Sequence, residues 1–209
     1  MTDSQIRAIV FDVGGVLVTS PLGPFGEVDA EYGLRPGTTM DLFRGGSLFV
    51  ECEIGRIPFA EFAAAAVAGI EAEQGVAVPP ERLATMMAAI MGDTVDPSMH
   101  AFVRELKAAG LQIGLLSNIY RELDPWLKAV FPDGTVDIFA PSYDLGLRKP
   151  DPAIYARLIE MCGLAPEQIV FVDDFAENVD GATAAGIHGI RFIGEDALRK
   201  ELRELGVPA

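Results

Sequence analysis

Cations are scarce in this sequence. Its 209 residues hold 16 Lys and Arg against 31 Asp and Glu, a net charge of −15 with the two histidines neutral. A chain this acidic is repelled by a phosphate backbone unless its basic residues gather in a patch, and none gathers here, so nucleic acid is not an expected partner. Cysteine is scarcer still: Cys52 and Cys162 lie far apart and form neither a CxxC pair nor a Cys/His metal spacing, which fits a reduced, cytoplasmic setting. Long apolar runs are missing as well. The best one, "FAEFAAAAVAGI", is broken by Glu61 and too short to cross a bilayer, and no basic stretch followed by an apolar segment opens the chain; a soluble protein with no membrane partner is expected.

Half of the residues are nevertheless hydrophobic, enough to bury a sizeable core, and the length suggests one core domain plus a modest insertion. "AIVFDV" (8 to 13), "LQIGLLS" (111 to 117), "IVFVDD" (169 to 174) and "GIRFI" (189 to 193) are short, continuously apolar and rich in Val, Ile and Phe, the pattern of strands buried on both faces of a parallel sheet. Helical patterns lie between them. "DPSMHAFVRELKAAG" opens with Asp96 as N-cap and Pro97 at the first helical position and stops at Gly110; "KPDPAIYARLIEMCG" repeats this with Asp151, Pro152 and Gly163. Such alternation predicts βαβ crossovers and a three-layer α/β sandwich around a parallel, Rossmann-like sheet. Residues 21–93 read differently, with Ala- and Met-rich helical segments and no comparable strand. They are expected to form a small all-helical domain inserted after the first strand, with residues 1–20 and 94–209 as the α/β core.

Ligands of open α/β sheets bind beyond the carboxyl ends of the strands. Asp12 closes the first strand, Ser117 and Asn118 the second, and Asp173 and Asp174 a later one, while Lys149 sits in the loop "LGLRKPD". Each alone reads equally well as a turn residue or a helix cap. Together they place three carboxylates in one crevice, where two like charges about 4 Å apart cost roughly 4 kcal/mol at an effective dielectric near 20. A hard divalent cation such as Mg²⁺ offsets that. Lys149 adds a second positive charge, able to hold an anionic substrate group or to orient a carboxylate nucleophile. A carboxylate nucleophile, a divalent metal, a lysine and a hydroxyl donor make a phosphoryl-transfer site, and Gly14 and Gly15 let backbone amides approach a phosphate closely.

"FDVGGVL", "LLSN", "GLRKPDPAIY" and "FVDDFAENVDGATAAG" resemble, in order, the four motifs of the haloacid dehalogenase superfamily of hydrolases, and "ECEIGRIPFAEF" resembles a segment of the small helical cap found in one of its groups. The resemblance implies a Mg²⁺-dependent phosphatase acting on a small phosphorylated metabolite. Asp12 would be the nucleophile that becomes an aspartyl-phosphate, Ser117 would donate to the phosphoryl oxygens with the Asn118 backbone assisting, and Lys149 would neutralise charge. Mg²⁺ would be held by Asp12, the Gly14 carbonyl and Asp174, with Asp173 helping directly or through water. The sequence departs from the family pattern at one position. Most phosphatases of the superfamily carry an Asp two positions after the nucleophile, as general acid and base; here that position is Gly14. The departure leaves three readings: a phosphatase whose substrate has a good leaving group or whose proton donor comes from elsewhere, a catalytically impaired protein that binds a phosphorylated ligand or a partner without turnover, and a 2-haloacid dehalogenase, whose halide leaves without a proton.

Other residues read as packing or surface. His100 and His188 fall away from the motif-bearing strand ends, Met86, Met87 and Met91 suit the interior of a helical cap, and Trp126 suits cover for the core. Arg44 and Arg56 lie in the cap, placed either to reach a substrate or to remain solvated. The Lys149–Pro150 bond is expected to be cis, and hinges are expected near Val18–Pro21 and Gly92–Pro97, where Pro and Gly punctuate the pattern.

Overall fold

The computed structural model describes residues 5–19, 23–44, 46–92, 95–132 and 134–209. Among them five parallel strands form one sheet: β1 (Ala8–Phe11), β2 (Gln112–Ser117), β3 (Ile138–Pro141), β4 (Ile169–Asp173) and β5 (His188–Arg191), in the order β3-β2-β1-β4-β5. Strand periodicity sorts their side chains into two layers. Ile9, Phe11, Ile113, Leu115, Val170 and Val172 pack on one face against Met99, Phe102, Leu106, Leu127, Leu198 and Leu202. Those partners come from α6 (Pro97–Ala108), α7 (Asp124–Val130) and α11 (Glu195–Glu204). Ala8, Val10, Leu116, Ile169 and Phe171 face the other way, against α9 (Pro152–Cys162) and α10 (Ala176–Ala184). The three-layer α/β architecture read from the sequence is the one observed.

The helix starts are local chemistry. Asp96 accepts from the amides of Ser98 and Met99, and Asp151 from that of Ala153, each ahead of a proline in the first turn, while Gly163 closes α9 at φ +63. The strand β3 has no counterpart among the four apolar runs. It is a four-residue edge strand, flanked by Asp137 and ending on Pro141, too short and too interrupted to be read as continuous apolar pattern.

Between β1 and α6 the described residues build five helices: α1 (Gly23–Tyr32), α2 (Thr38–Phe43), α3 (Ser47–Glu53), α4 (Phe59–Gln74) and α5 (Pro80–Gly92). They enclose an apolar cluster of their own, including Phe49, Phe62, Ile70, Leu83, Met86 and Met87, which Tyr120 joins from the loop after β2. Phe59 and Tyr120 stack at 4.6 Å, and Glu122 accepts from the Phe59 amide at 2.9 Å, so the helical segment rests directly on that loop. The segment's two ends meet at the core. Val18 bridges Val95 in antiparallel fashion, and the Asp96 amide donates to the Leu17 carbonyl at 3.2 Å. Of the hinge positions, Ser20, Pro21, Asp93 and Thr94 lie outside the described residues, as does the side chain of Met91.

Candidate active site

All of the strand-end residues fall on one edge of the sheet. Phe11 stands opposite Leu115 and Val172 in register, which sets Asp12, Ser117 and Asp173 side by side at the carboxyl ends of β1, β2 and β4. The Asp12 amide donates to the Val172 carbonyl at 2.8 Å, extending the ladder to the carboxylate itself. Oxygen atoms of Asp12, Asp173 and Asp174 lie within 4.8 Å of one another.

Lys149 holds this cluster together. It is 1% exposed, and its Nζ lies 2.9 Å from Asp12 Oδ1 and 2.6 Å from Asp173 Oδ2. Burial works to lower the lysine's pKa, but the two carboxylates outweigh it and the ammonium is held charged, with a net upward shift. Asp12 is pulled both ways: burial and Asp173 push its pKa up, Lys149 and the Val13 amide push it down, and burial wins. The lysine and the Val13 amide both engage Oδ1, so among the described residues Oδ2 keeps its lone pairs uncommitted. Asp173 is fully committed. Its oxygens accept from the Phe175 amide at 2.8 Å, from Asn178 Nδ2 at 3.0 Å to each oxygen, and from Lys149.

Asp174 is the opposite case. Its Oδ1 is buried without a hydrogen-bond partner, and burial together with Asp12 and Asp173 pushes its pKa up to about 6. An orphaned carboxylate oxygen beside two more carboxylates is the donor set a hard divalent cation fits. The backbone is shaped around it. Gly15 adopts φ +77, and a Cβ there would stand 2.4 Å from Asp174 Oδ2. The left-handed glycine of the pair is therefore Gly15, and Gly14 is not among the positive-φ residues.

Ser117 is buried at the end of β2, beside this group. Asn118 acts through its side chain: Nδ2 donates to the Lys149 carbonyl at 3.0 Å and Oδ1 accepts from the Lys149 amide at 2.8 Å, clamping the lysine's backbone next to its cis bond to Pro150. This clamp was not read from the sequence, nor was Asn178, although it sits within the quoted run "FVDDFAENVDG" one helical turn past the aspartates. Glu53 was missed too. Buried at the C-terminus of α3, it carries Oε2 to 3.0 Å from Nη2 of Arg148.

The remaining candidates stay apart from the cluster's contacts. His100 stacks on Phe131 at 4.7 Å and His188 meets the Glu167 carbonyl at 3.1 Å. Trp126 packs on the core, Arg56 pairs with Glu51 at 3.0 Å, and Arg44 is exposed.

A parallel sheet carrying clustered carboxylates and a buried lysine at its carboxyl edge defines the class as a Rossmann-like α/β protein with an acidic site. The family model of the haloacid dehalogenase-like hydrolases matches residues 6–186. The chain belongs to that family. It is 27% identical to the sesquiterpene phosphatase astK of Aspergillus oryzae over 97% of each chain. It is also 27% identical to acyl-CoA dehydrogenase family member 10 of Mus musculus, covering 95% of this chain but spanning 19% of that protein's length. Among solved structures, a haloacid dehalogenase family enzyme from Bacteroides thetaiotaomicron, in complex with magnesium and inorganic phosphate, superposes with a TM-score of 0.71. That match covers 91% of this chain and 96% of the other at 24% identity, which establishes the shared fold.

Proposed function

We propose that the protein is a Mg²⁺-dependent phosphatase for a small phosphorylated molecule, working through an aspartyl-phosphate on Asp12. The observation that carries this reading is the convergence of Asp12, Asp173 and Asp174 with the buried Lys149 between them. The phosphatase among the relatives, and the magnesium and phosphate bound by the Bacteroides enzyme, support it.

In this reading Asp12 attacks phosphorus through Oδ2 while Lys149 holds Oδ1. The bond from phosphorus to the ester oxygen breaks, the alcohol or enol oxygen departs, and water then attacks phosphorus to release phosphate and restore Asp12. Ser117 donates to the phosphoryl oxygens. Asp12, Asp174 and the Gly14 carbonyl would hold Mg²⁺, with Asp173 acting through Lys149 or a bridging water. The ion, when bound, neutralises charge on the phosphoryl group. Gly14 brings no side chain to move a proton, a service worth roughly 10²- to 10⁴-fold, so the reading favours substrates whose leaving group departs with little protonation. Residues 21–93 act as the cap domain over the strand ends, excluding water during transfer.

Turnover of p-nitrophenyl phosphate and a panel of sugar and acyl phosphates, measured against Mg²⁺ concentration, tests the proposal. Mg²⁺-dependent release of phosphate that disappears in EDTA and in Asp12→Asn is expected. Full hydrolysis in excess EDTA, or release of halide from 2-haloacids without metal, would overturn it in favour of a dehalogenase; binding of phosphate esters without turnover would make the protein a ligand-binding relative.

A further inference from the structure

The helical segment reaches the lysine loop through one buried contact that the chemistry above leaves unused. Helix α3 ends on Glu53, whose carbonyl accepts from Ser142 Oγ at 2.6 Å; the same hydroxyl oxygen accepts from the Ile119 amide at 2.9 Å. Two residues on, Gly55 adopts φ +74 and lies so close to the turn after β3 that a Cβ would stand 2.4 Å from the Tyr143 carbonyl oxygen. The end of α3 is thus seated on the core by its backbone, which fixes where the Glu53 side chain can go.

It goes to Arg148. The Glu53 side chain is 9% exposed, and its Oε2 lies 3.0 Å from Arg148 Nη2, yet neither that oxygen nor Arg148 Nε finds a hydrogen-bond partner. The two charges touch without being aligned, so they attract while leaving room for a small rotation that would make the pair bidentate. Arg148 is the residue before Lys149, and Asn118 clamps the Lys149 backbone. Between these two holds lies the peptide that aims Nζ at Asp12 and Asp173.

We infer that Glu53 is a positioning residue: carried in by the helical segment, its carboxylate holds Arg148 and thereby sets the placement of Lys149 on Asp12 and Asp173. The ammonium is then in register only when α3 is seated on Ser142 and Tyr143. Burial pushes the Glu53 carboxyl up to about 7; Arg148 and Lys149 pull it down and Asp12 adds to the rise. Cys52 on its own helix is a further titratable neighbour, a buried thiol pushed up to about 12 by burial, Glu122 and Glu53 in turn. As pH falls through about 7, Glu53 gains a proton and releases Arg148.

The kinetic part of the test rests on the phosphatase reading; the spectroscopic part does not. With Mg²⁺ and p-nitrophenyl phosphate, Glu53→Gln is expected to lower kcat about ten- to a hundredfold, the penalty of a misplaced catalytic group, with KM changed far less. Arg148→Met should do the same, and the double variant should be no worse than either single one. The acid limb of wild-type kcat near pH 7 should vanish in Glu53→Gln. In protein labelled at the lysine Cε carbons, the Lys149 resonance should move with a midpoint near pH 7 in the wild type and stay still in Glu53→Gln; Glu53→Asp, which keeps the charge on a shorter arm, serves if the glutamine variant does not fold. A wild-type Lys149 resonance that ignores pH in this range overturns the inference whether or not any phosphate ester is turned over. So does a Glu53→Gln enzyme that melts earlier but keeps the wild-type kcat and pH profile, which would make Glu53 a simple anchor. A loss confined to alkyl esters would also overturn it, by making Glu53 a proton donor. Failure of the phosphatase reading shows separately, as a wild-type protein that hydrolyses nothing.

Discussion

Replacing Lys149 by methionine keeps an unbranched side chain, shorter by the terminal nitrogen, and removes its charge. In the structure that charge sits 2.9 Å from one buried carboxylate and 2.6 Å from another, each contact contributing about 6 kcal/mol of attraction at an effective dielectric near 20. Desolvation of the three groups consumes most of this, so the intact triad stabilises the fold only modestly. Deleting the shared cation is another matter. It strands two charges at 7% and 0% exposure, and breaking a buried pair costs about 3–5 kcal/mol, a large part of the roughly 5–15 kcal/mol that holds a domain together. The sign with pH follows. Burial already raises the pKa of Asp12 against the pull of Lys149, and without the lysine it rises further, so the variant's Asp12 is tolerated when protonated and destabilises the fold as pH rises. Urea denaturation followed by circular dichroism, in EDTA, should therefore show the deficit of Lys149→Met against wild type growing as pH rises, to about 3–5 kcal/mol at alkaline pH. Mg²⁺ in large excess should return part of the loss, about 2.7 kcal/mol at a hundred times its Kd. Equal stability of the two proteins at alkaline pH in EDTA would refute the reasoning, because it would mean that deleting the cation strands no buried charge.

Gly15→Ala is expected to cost about 1–3 kcal/mol of stability from the positive φ alone. Its Cβ would also meet Asp174 Oδ2 at 2.4 Å, and displacing that proposed ligand should weaken Mg²⁺ binding roughly 10- to 100-fold by calorimetry; unchanged metal affinity would remove Asp174 from the proposed metal site. Gly14 lies outside the left-handed region, so aspartate is conformationally admissible there. Gly14→Asp should speed alkyl phosphates more than aryl ones, by up to about 10²-fold if the acid is well placed. Equal effects on both, with chemistry rate-limiting, would show that another group already supplies the proton.

The parts of this protein that could be read from its sequence are those whose cause is local. Strands β1, β2 and β4 are covered on both faces, so every residue of their cores is apolar and the run is unmistakable; β3 is a four-residue edge strand with half-buried Phe139 and carries too little pattern to register. Caps such as Asp96 and Asp151 are decided within three residues. Helices α1 to α3 are short, with glycine and proline within α1 and glycine directly ahead of α2 and α3, and their apolar residues serve a cluster assembled from distant segments. The same distinction divides the site. Asp12, Asp173 and Asp174 announce themselves by ending apolar runs, whereas Asn118 acts on a residue 31 positions away, and the hydroxyl that seats Glu53 comes from 89 positions away. Glu53 reads as an ordinary polar residue of a helix until the fold closes around it.

The bridge between Val18 and Val95 has a meaning for how such proteins diversify. Because the chain leaves the sheet and returns to it at adjoining points, the core closes its own hydrogen-bond ladder whatever lies in between, and helices can be gained, lost or exchanged there without re-registering a single strand. The seating of α3 limits that freedom. A transplanted segment would fit the scaffold through two neighbouring backbone junctions, but on the role proposed for Glu53 it would have to bring its own carboxylate to Arg148, so the interchangeable part of the molecule would carry a positioning element for the fixed part.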